Sequence, residues 1–286
     1  MTRTVYLNGD YMPETEATVS IFDRGFVMGD AVYEVTCVLD GRLTEFDGHM
    51  ARLARSLKEL EIPCDISRDE WLEIHRKLIE LNGLQEGGIY LQISRGDVGD
   101  RDFHYPPAGT PPTVVLYTQS RPGLSTDPKA DEGIKVISVP DLRWHRRDIK
   151  TVQLLYASMA KMAAEKEGKD DAWFVEDGFV TEGSSNNCYI VKNGKIITRQ
   201  LSNDILHGIT RSSVLKMAQE AQMEIEERPF TIAEAQAADE AFFTSASAFV
   251  MPIVEVDGVA VGSGKPGSVA KRLREIYISE SLKSAI

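Results

Sequence analysis

Cysteine is scarce in this sequence, and apolar runs of membrane length are missing altogether. Only three of the 286 residues are cysteine, Cys37, Cys64 and Cys188, far apart and with no Cys-x-x-Cys pair. That excludes a disulfide framework and points to reduced thiols in a cytosolic protein. The longest nearly apolar stretch, Ala246 to Val254, carries Ser247 and Pro252 and is far shorter than the roughly 20 residues a bilayer demands. Met1 to Asp10 includes Arg3, Asn8 and Gly9 and has no signal-peptide core, so a soluble, cytoplasmic chain is expected. Positive charge is also short: 32 Lys and Arg stand against 44 Asp and Glu, a net charge of -12. This argues against a nucleic-acid-binding face, which needs a basic surface. It leaves room for a small anion, because Arg143, His145, Arg146, Arg147 and Lys150 are bunched within eight positions. The five histidines, at 49, 75, 104, 145 and 207, show no metal-ligand spacing, and no metal is expected. Gly96 to Asp100 lacks the Lys-Ser/Thr of a phosphate loop, and no Gly-x-Ser-x-Gly elbow occurs.

What is present is ordinary globular composition, 42% hydrophobic and 27% charged, in a chain long enough for two domains. The opening reads as β, with strands at Thr4 to Asn8, Ala17 to Ile21 and Ala31 to Leu39. Apolar Met50, Leu53, Ala54, Leu57 and Leu60 predict a helix over about His49 to Ile62, stopped by Pro63. Ser67 with Glu70 forms a capping box for a second helix, closed by Asn82-Gly83. Strands Ile89 to Ser94 and Thr113 to Thr118 flank a polar loop from Gly96 to Pro112. Gln119 to Asp131 holds Arg-Pro-Gly and Asp-Pro without apolar periodicity, which sets the expected division: 1–119 a small α+β domain, 120–131 a linker, 132–286 a larger α/β domain. Beyond it, strands are expected at Ile134 to Val139, Trp173 to Glu176, Cys188 to Val191, Lys195 to Thr198 and Ala241 to Thr244. Helices are expected at Thr151 to Glu167, Thr210 to Gln222 and Val269 to Leu282. Asn193-Gly194 marks a hairpin.

Three segments of the second half could carry chemistry. Arg143-Trp144-His145-Arg146-Arg147-Asp148-Ile149-Lys150 precedes a helix. Cations around a lysine disfavour its ammonium form and free the amine for carbonyl chemistry, although a solvated basic turn would look the same. Thr181-Glu182-Gly183-Ser184-Ser185-Asn186-Asn187 reads as a loop able to wrap a polar ligand, with Glu182 available to a protonated ring nitrogen; a plain exposed loop is the rival. Leu206-His207-Gly208-Ile209-Thr210-Arg211 opens a helix whose N–H groups suit a phosphate dianion, or are simply capped by Thr210.

In this order and spacing, with the second segment about thirty residues after Lys150 and the third about twenty-five further on, the set resembles the fold-type IV pyridoxal-phosphate enzymes. That family contains D-amino-acid transaminases, branched-chain aminotransferases and aminodeoxychorismate lyases. Phe22-Asp23-Arg24-Gly25, then Met28-Gly29-Asp30-Ala31-Val32-Tyr33-Glu34-Val35, looks like its N-terminal signature, in the form closest to D-amino-acid transaminases. His49 and Arg52 match its His-x-x-Arg segment.

The resemblance implies a two-domain α+β / α/β fold with pyridoxal 5'-phosphate at the domain interface, in a homodimer. It implies that Lys150 holds the cofactor as a Schiff base and moves the substrate proton, while Glu182 keeps the pyridine nitrogen protonated. Arg52 and the helix start at Ile209 and Thr210 would bind the phosphate, joined by Ser245, Ala246 and Ser247, and Leu206 would pack on the ring. Arg24 would serve the phosphate or the dimer interface. Tyr33 and Arg101 would approach the substrate carboxylate. Four features depart from the family pattern: Phe103 stands where a histidine usually follows the loop arginine, with His104 one place later; the loop is one residue longer; Asn186 replaces a small residue; and Ala246 replaces a hydroxyl. The implied activity is ping-pong transamination between a D-amino acid and a 2-oxo acid. The alternatives are an (R)-selective amine transaminase, a branched-chain L-aminotransferase and an aminodeoxychorismate-type lyase.

Overall fold

The computed structural model describes residues 2–286, which form two compact units, each discontinuous in sequence. The first comprises Met1–Leu124, Ile149–Gln153 and Ser284–Ile286; the second comprises Ser125–Asp148 and Leu154–Lys283. The cut after Leu124 lies within the 120–131 segment expected as a linker, while two short pieces from later in the chain return to the first unit. Backbone pairing explains both returns. Tyr33 N–H donates to Lys150 O (3.0 Å), Val152 N–H donates to Ala31 O (3.1 Å), and Val32 bridges Thr151. Leu43 and Ile286 exchange a pair of backbone hydrogen bonds (2.9 and 3.0 Å). Thr151, expected to start a helix, is taken by this pairing, and the helix begins at Leu155.

The first unit holds β1 (Thr4–Leu7), β2 (Asp10–Pro13), α1 (Arg24–Met28), β3 (Ala31–Leu39), β4 (Arg42–Leu43), α2 (Phe46–Glu59), α3 (Arg68–Asn82), β5 (Gly87–Ser94) and β6 (Thr113–Ser120). Its antiparallel sheet runs β2-β1-β6-β5-β3-β4. No strand forms at Ala17 to Ile21. There Ser20 accepts the Phe22 and Asp23 N–H groups and turns the chain into α1 instead. Helix α2 starts three residues earlier than expected because buried Phe46 docks on the core and holds the first turn helical despite Gly48. The Ser67–Glu70 capping box forms, and Gly83 ends α3 in the left-handed region. Leu53, Leu57, Trp71 and Leu78 of the two helices pack with Val38, Ile89, Leu91 and Leu116 of the sheet. Side chains alternate along β3, so Val32, Glu34 and Val38 share one face. Tyr33 lies on the other, stacked on Tyr90 (5.6 Å), which stacks on Tyr117 (4.9 Å).

The second unit holds α4 (Lys129–Glu132), β7 (Ile134–Pro140), α5 (Leu155–Lys166), β8 (Asp171–Glu176), β9 (Phe179–Gly183), β10 (Asn187–Lys192) and β11 (Lys195–Thr198). It continues with α6 (Ile209–Glu220), β12 (Glu224–Glu227), α7 (Ile232–Gln236), β13 (Glu240–Ser245), β14 (Phe249–Val256), β15 (Val259–Ala260) and α8 (Ser268–Ser284). Its sheet runs β12-β11-β10-β13-β14-β7-β8-β9, with β15 on β14. Pairs β11/β12, β14/β7 and β7/β8 are parallel, and the rest are antiparallel. Asp177-Gly178 and Asn193-Gly194 each take two positive φ angles, the requirement of a tight hairpin turn between twisted strands. The first of these turns creates β9, so Thr181, Glu182 and Gly183 lie on a strand and only residues 184–186 form the turn. The apolar stretch at Ala246 to Val254 is mostly β14, a buried central strand.

His75 in α3 is fully buried, with Nδ1 on Trp71 O (2.7 Å) and its ring edge-on to Phe46. Burial pushes its pKa down from 6.5 to about 4. The unfolded chain therefore takes up the proton first, and His75 keeps its full contribution above pH 6.5 and loses it as pH falls toward 4. Thermal unfolding across this window should show a falling midpoint in the wild type and a flatter profile in His75→Leu. Parallel profiles would contradict this.

Candidate active site

Lys150 sits on the edge of the first sheet. Its carbonyl accepts from Tyr33, its N–H faces Ser56 Oγ (3.4 Å), and its Nζ lies 4.0 Å from the centre of the Tyr33 ring. The arginines before it in sequence are matched by carboxylates inside the second unit. Arg146 pairs with Asp148, and Arg147 pairs with Glu176 through two hydrogen bonds of 2.8 and 2.9 Å. The expected cationic surround of Lys150 thus gives way to an aromatic face.

Behind Tyr33, on the opposite face of β3, Glu34 is fully buried. Arg52 grips it through Nε and Nη2 (both 2.7 Å), and His49 Nδ1 lies 2.8 Å from it. Burial opposes ionisation, but Arg52 and His49 hold the Glu34 carboxyl down at about 2. Arg52, expected on a phosphate, thus has two of its nitrogens committed to Glu34.

In the second unit Glu182 is the penultimate residue of β9, with its carboxylate fixed on both oxygens. Arg143 Nη1 donates to Oε1 (2.7 Å), and Asn187 Nδ2 (3.1 Å) and Leu206 N–H (2.9 Å) donate to Oε2. Arg143 is itself forked onto Asp141 and lies over the Phe174 ring at 4.2 Å, while Thr181 Oγ1 donates to Asp141. Burial pushes the Glu182 carboxyl above its ordinary range, with Arg143 pulling the other way. Arg143, Asp141 and Asn187 escape sequence reasoning as site residues. Arg143 and Asn187 carried a signal only as members of the basic and polar segments, and Asp141 carried none. Asn186 is structural: its Nδ2 donates to buried Asp171 (2.8 Å), and a Cβ on Gly183 would fall 2.1 Å from its Oδ1.

Asn187 also donates to Leu206 O (3.0 Å), which fixes the approach to α6. The residue at the helix start is not capped as expected. Gly208 holds the N-cap position with no side-chain hydrogen bond, and Thr210 lies inside the helix, buried, 3.4 Å from Tyr277 OH. Gly208 N–H donates to Leu206 O (2.9 Å), and the N–H groups of Ile209 and Thr210 at the first turn are left for another acceptor. Ser245 ends β13, and Ala246 and Ser247 lie in the turn to β14. Arg274 braces that turn by donating to Ala248 O (2.7 Å) and Val250 O (3.0 Å).

Arg101, Phe103 and His104 are exposed residues of the β5–β6 loop in the first unit. Arg101 lies over the Phe103 ring at 5.1 Å. His104 Nδ1 lies 3.0 Å from Asp102 Oδ1. His145, Glu176 and Asp204 bring ligand-type atoms within 4.8 Å of one another. Arg147 already holds Glu176, and Arg199 already holds Asp204, so a cation there would face two guanidiniums.

The profile of amino-transferase class IV matches residues 31–256. The chain belongs to the class IV aminotransferases. It is 38% identical over 284 residues to a D-alanine aminotransferase of Bacillus licheniformis, covering 98% of this chain and 99% of that one. It is 37% identical over 273 residues to a D-alanine aminotransferase of Staphylococcus aureus (strain COL), with 95% of each covered. Among solved structures, the branched-chain amino acid aminotransferase of Escherichia coli superposes with a TM-score of 0.90 at 26% identity, over 98% of this chain and 95% of that one. The branched-chain enzyme of T.th. with pyridoxamine 5'-phosphate superposes with 0.88 at 25% identity, over 98% and 94%.

Class IV aminotransferases use pyridoxal phosphate, and three features of this chain fit it. Burial leaves Glu182 short of full charge compensation, so a cationic ring N–H would complete its surroundings. The α6 start offers uncapped N–H groups to a dianion. Lys150 presents a half-buried amine beside an aromatic ring.

The site tolerates little bulk. A Cβ on Gly208 would lie 2.1 Å from Asn187 Oδ1, so Gly208→Ala must displace the side chain that fixes both Glu182 and Leu206. Gly208→Ala should cost about 1–3 kcal/mol of stability in denaturant unfolding. Its cost should shrink in the Asn187→Ala background, where the colliding group is gone. Equal costs in both backgrounds would contradict this geometry.

Proposed function

We propose that this chain exchanges the amino group of a D-amino acid for the carbonyl of a 2-oxo acid in two half-reactions, with pyridoxal phosphate as carrier. The observation that carries the reading is the Glu182 cradle: a buried carboxylate held by three donors and still pushed upward by burial. When bound, the cofactor supplies an electron-accepting ring that holds the amino group between the half-reactions. Glu182 keeps the ring nitrogen protonated. Lys150 Nζ would hold the cofactor covalently and would carry the proton between the donor's α-carbon and the product side. The α6 start at Ile209 and Thr210 would hold the phosphate, helped by the Ser245–Ser247 turn and by the positive charge of Arg52. Leu206 would pack against the ring. Tyr33 and Arg101 meet the donor carboxylate.

The D-specific assignment rests on the two full-length D-alanine aminotransferase relatives and on Tyr33-Glu34-Val35 at the start of β3. One observation favours a second reading, an (R)-selective amine transaminase: Phe103, in the family's histidine place, is 77% exposed and offers an apolar contact instead of a cation. We further infer a homodimer. Leu155, Met159 and Met162 form an exposed apolar stripe along α5, the kind of surface a second copy covers. The thiols of Cys37, Cys64 and Cys188 are unpaired, in keeping with a cytoplasmic location. Among the described residues no helix is long and apolar enough to cross a membrane.

A donor panel followed by cofactor absorbance tests the reading. D-alanine and D-glutamate should turn over far faster than their L-enantiomers, with slower turnover of (R)-1-phenylethylamine. Glu182→Gln should stay folded and lose roughly 10²–10⁴ in rate, the scale of one proton-management group. Faster turnover of L-amino acids would overturn the D-specific assignment, and unchanged single-turnover rates would remove Glu182 from the chemistry.

A further inference from the structure

The β5–β6 loop, residues 96–112, is polar and mostly exposed, yet it is pinned at three places within the first unit. At its neck Gly96 takes φ +91°, and a Cβ there would fall 2.1 Å from Pro111 O, so the two ends of the loop touch through backbone. Arg24 N–H donates to Gly96 O (3.0 Å), and Asp23 bridges Asp97. At its far side Arg24 Nη1 donates to two loop carbonyls, Asp102 O (2.7 Å) and His104 O (3.2 Å). One residue later the Tyr105 ring lies 3.7 Å from the Arg95 guanidinium. Both arginines are buried, and both hold Asp30 at 2.7 Å. Arg95 also donates to Leu60 O (2.6 Å) and Glu61 O (2.9 Å), which ties the assembly to the end of α2. Neither the phosphate nor a partner surface is needed to explain a buried Arg24.

The two carbonyls that Arg24 holds flank Phe103. With both neighbours fixed, the Phe103 ring stands in solvent under the Arg101 guanidinium. Contact with a ring uses the flat face of a guanidinium, whereas a carboxylate takes its N–H edge, so Arg101 can do both at once. Asp102 does not draw Arg101 away, because its Oδ1 accepts from the His104 N–H and lies 3.0 Å from the His104 ring.

We propose that Arg24, backed by Asp30 and Arg95, is a positioning residue for substrate selection: it holds the loop so that Arg101 and Phe103 form a preformed pair for donors carrying a carboxylate beside an apolar group. The proposal rests on the reading that Arg101 meets the donor carboxylate. A loop already ordered before binding loses less freedom when the donor arrives, so the clamp acts on KM more than on kcat.

Two variants test it in the holoenzyme. Arg24→Lys keeps a charge beside Asp30 but is a single-pronged group that cannot span two carbonyls. Tyr105→Leu removes only the exposed ring from Arg95. Hydrogen–deuterium exchange should speed up at residues 97–106, roughly tenfold for a lost charge-assisted hydrogen bond, with the sheet amides unchanged. Arg24→Lys should raise KM for D-amino acids and 2-oxo acids by a similar factor while kcat moves little, and should add no further rise in the Arg101→Ala background. Unchanged loop exchange in both variants, or additive KM effects of Arg24→Lys and Arg101→Ala, overturns the proposal. If Arg101→Ala alone leaves KM unchanged, the carboxylate reading fails and takes the substrate half of the proposal with it. Loop exchange then decides the clamp by itself.

Discussion

Five residues, Ile149–Gln153, belong by packing to the first unit although the chain on either side belongs to the second. Their hydrogen bonds to Ala31 and Tyr33 fix Lys150 as part of a sheet edge rather than a loop. The consequence is positional. The amine of Lys150 emerges at one defined place, over the ring of Tyr33, and that ring is backed by Tyr90 and Tyr117. A reactive group whose backbone is hydrogen-bonded to a strand is held more tightly than one on a free connecting segment. On the far side of the same strand, Glu34 locks α2 to the sheet through Arg52 and His49. Shifting β3 would move the amine, the tyrosine and the arginine together.

Two buried glutamates show how surroundings decide the state of one side chain. Both lose solvation. Glu34 gains Arg52 through two hydrogen bonds and His49 through a third, and stays ionised to about pH 2. Glu182 faces one guanidinium, which Asp141 also engages, and burial wins. The first carboxylate is complete and serves as a brace. The second has capacity left for a cationic partner, the condition a group must meet to hold a protonated ring nitrogen. The chain's net charge of -12 conceals this, because Arg24, Arg52, Arg95 and Arg143 are each matched to carboxylates inside the fold.

Much of this was legible in the sequence. The capping box at Ser67, the hairpin at Asn193-Gly194 and strand β3 are local signals, and each formed where its residues predict. The three segments carrying Lys150, Glu182 and Thr210 were also readable, because the residue types and their spacing are themselves the motif. What stayed hidden depends on contacts distant in sequence. Thr151 reads as helical until its backbone is paired with Val32, more than a hundred residues earlier. Glu182 reads as a loop residue because the Asp177-Gly178 turn that creates β9 is needed to see a strand. Arg24 reads as a residue for the phosphate or the dimer interface, and its bonds to the carbonyls of residues 102 and 104 are visible only in the fold. The fit of Asn187 into the room left by Gly208 has no signature in the sequence.

The account stands on Lys150 as the amine that carries the cofactor. Borohydride reduction of the purified yellow protein, followed by proteolysis and mass mapping, tests this directly. The predicted result is a single pyridoxyl-modified peptide with the added mass on Lys150, and no such peptide from Lys150→Ala. A modified peptide centred on any other lysine, or unchanged labelling in Lys150→Ala, would contradict the account.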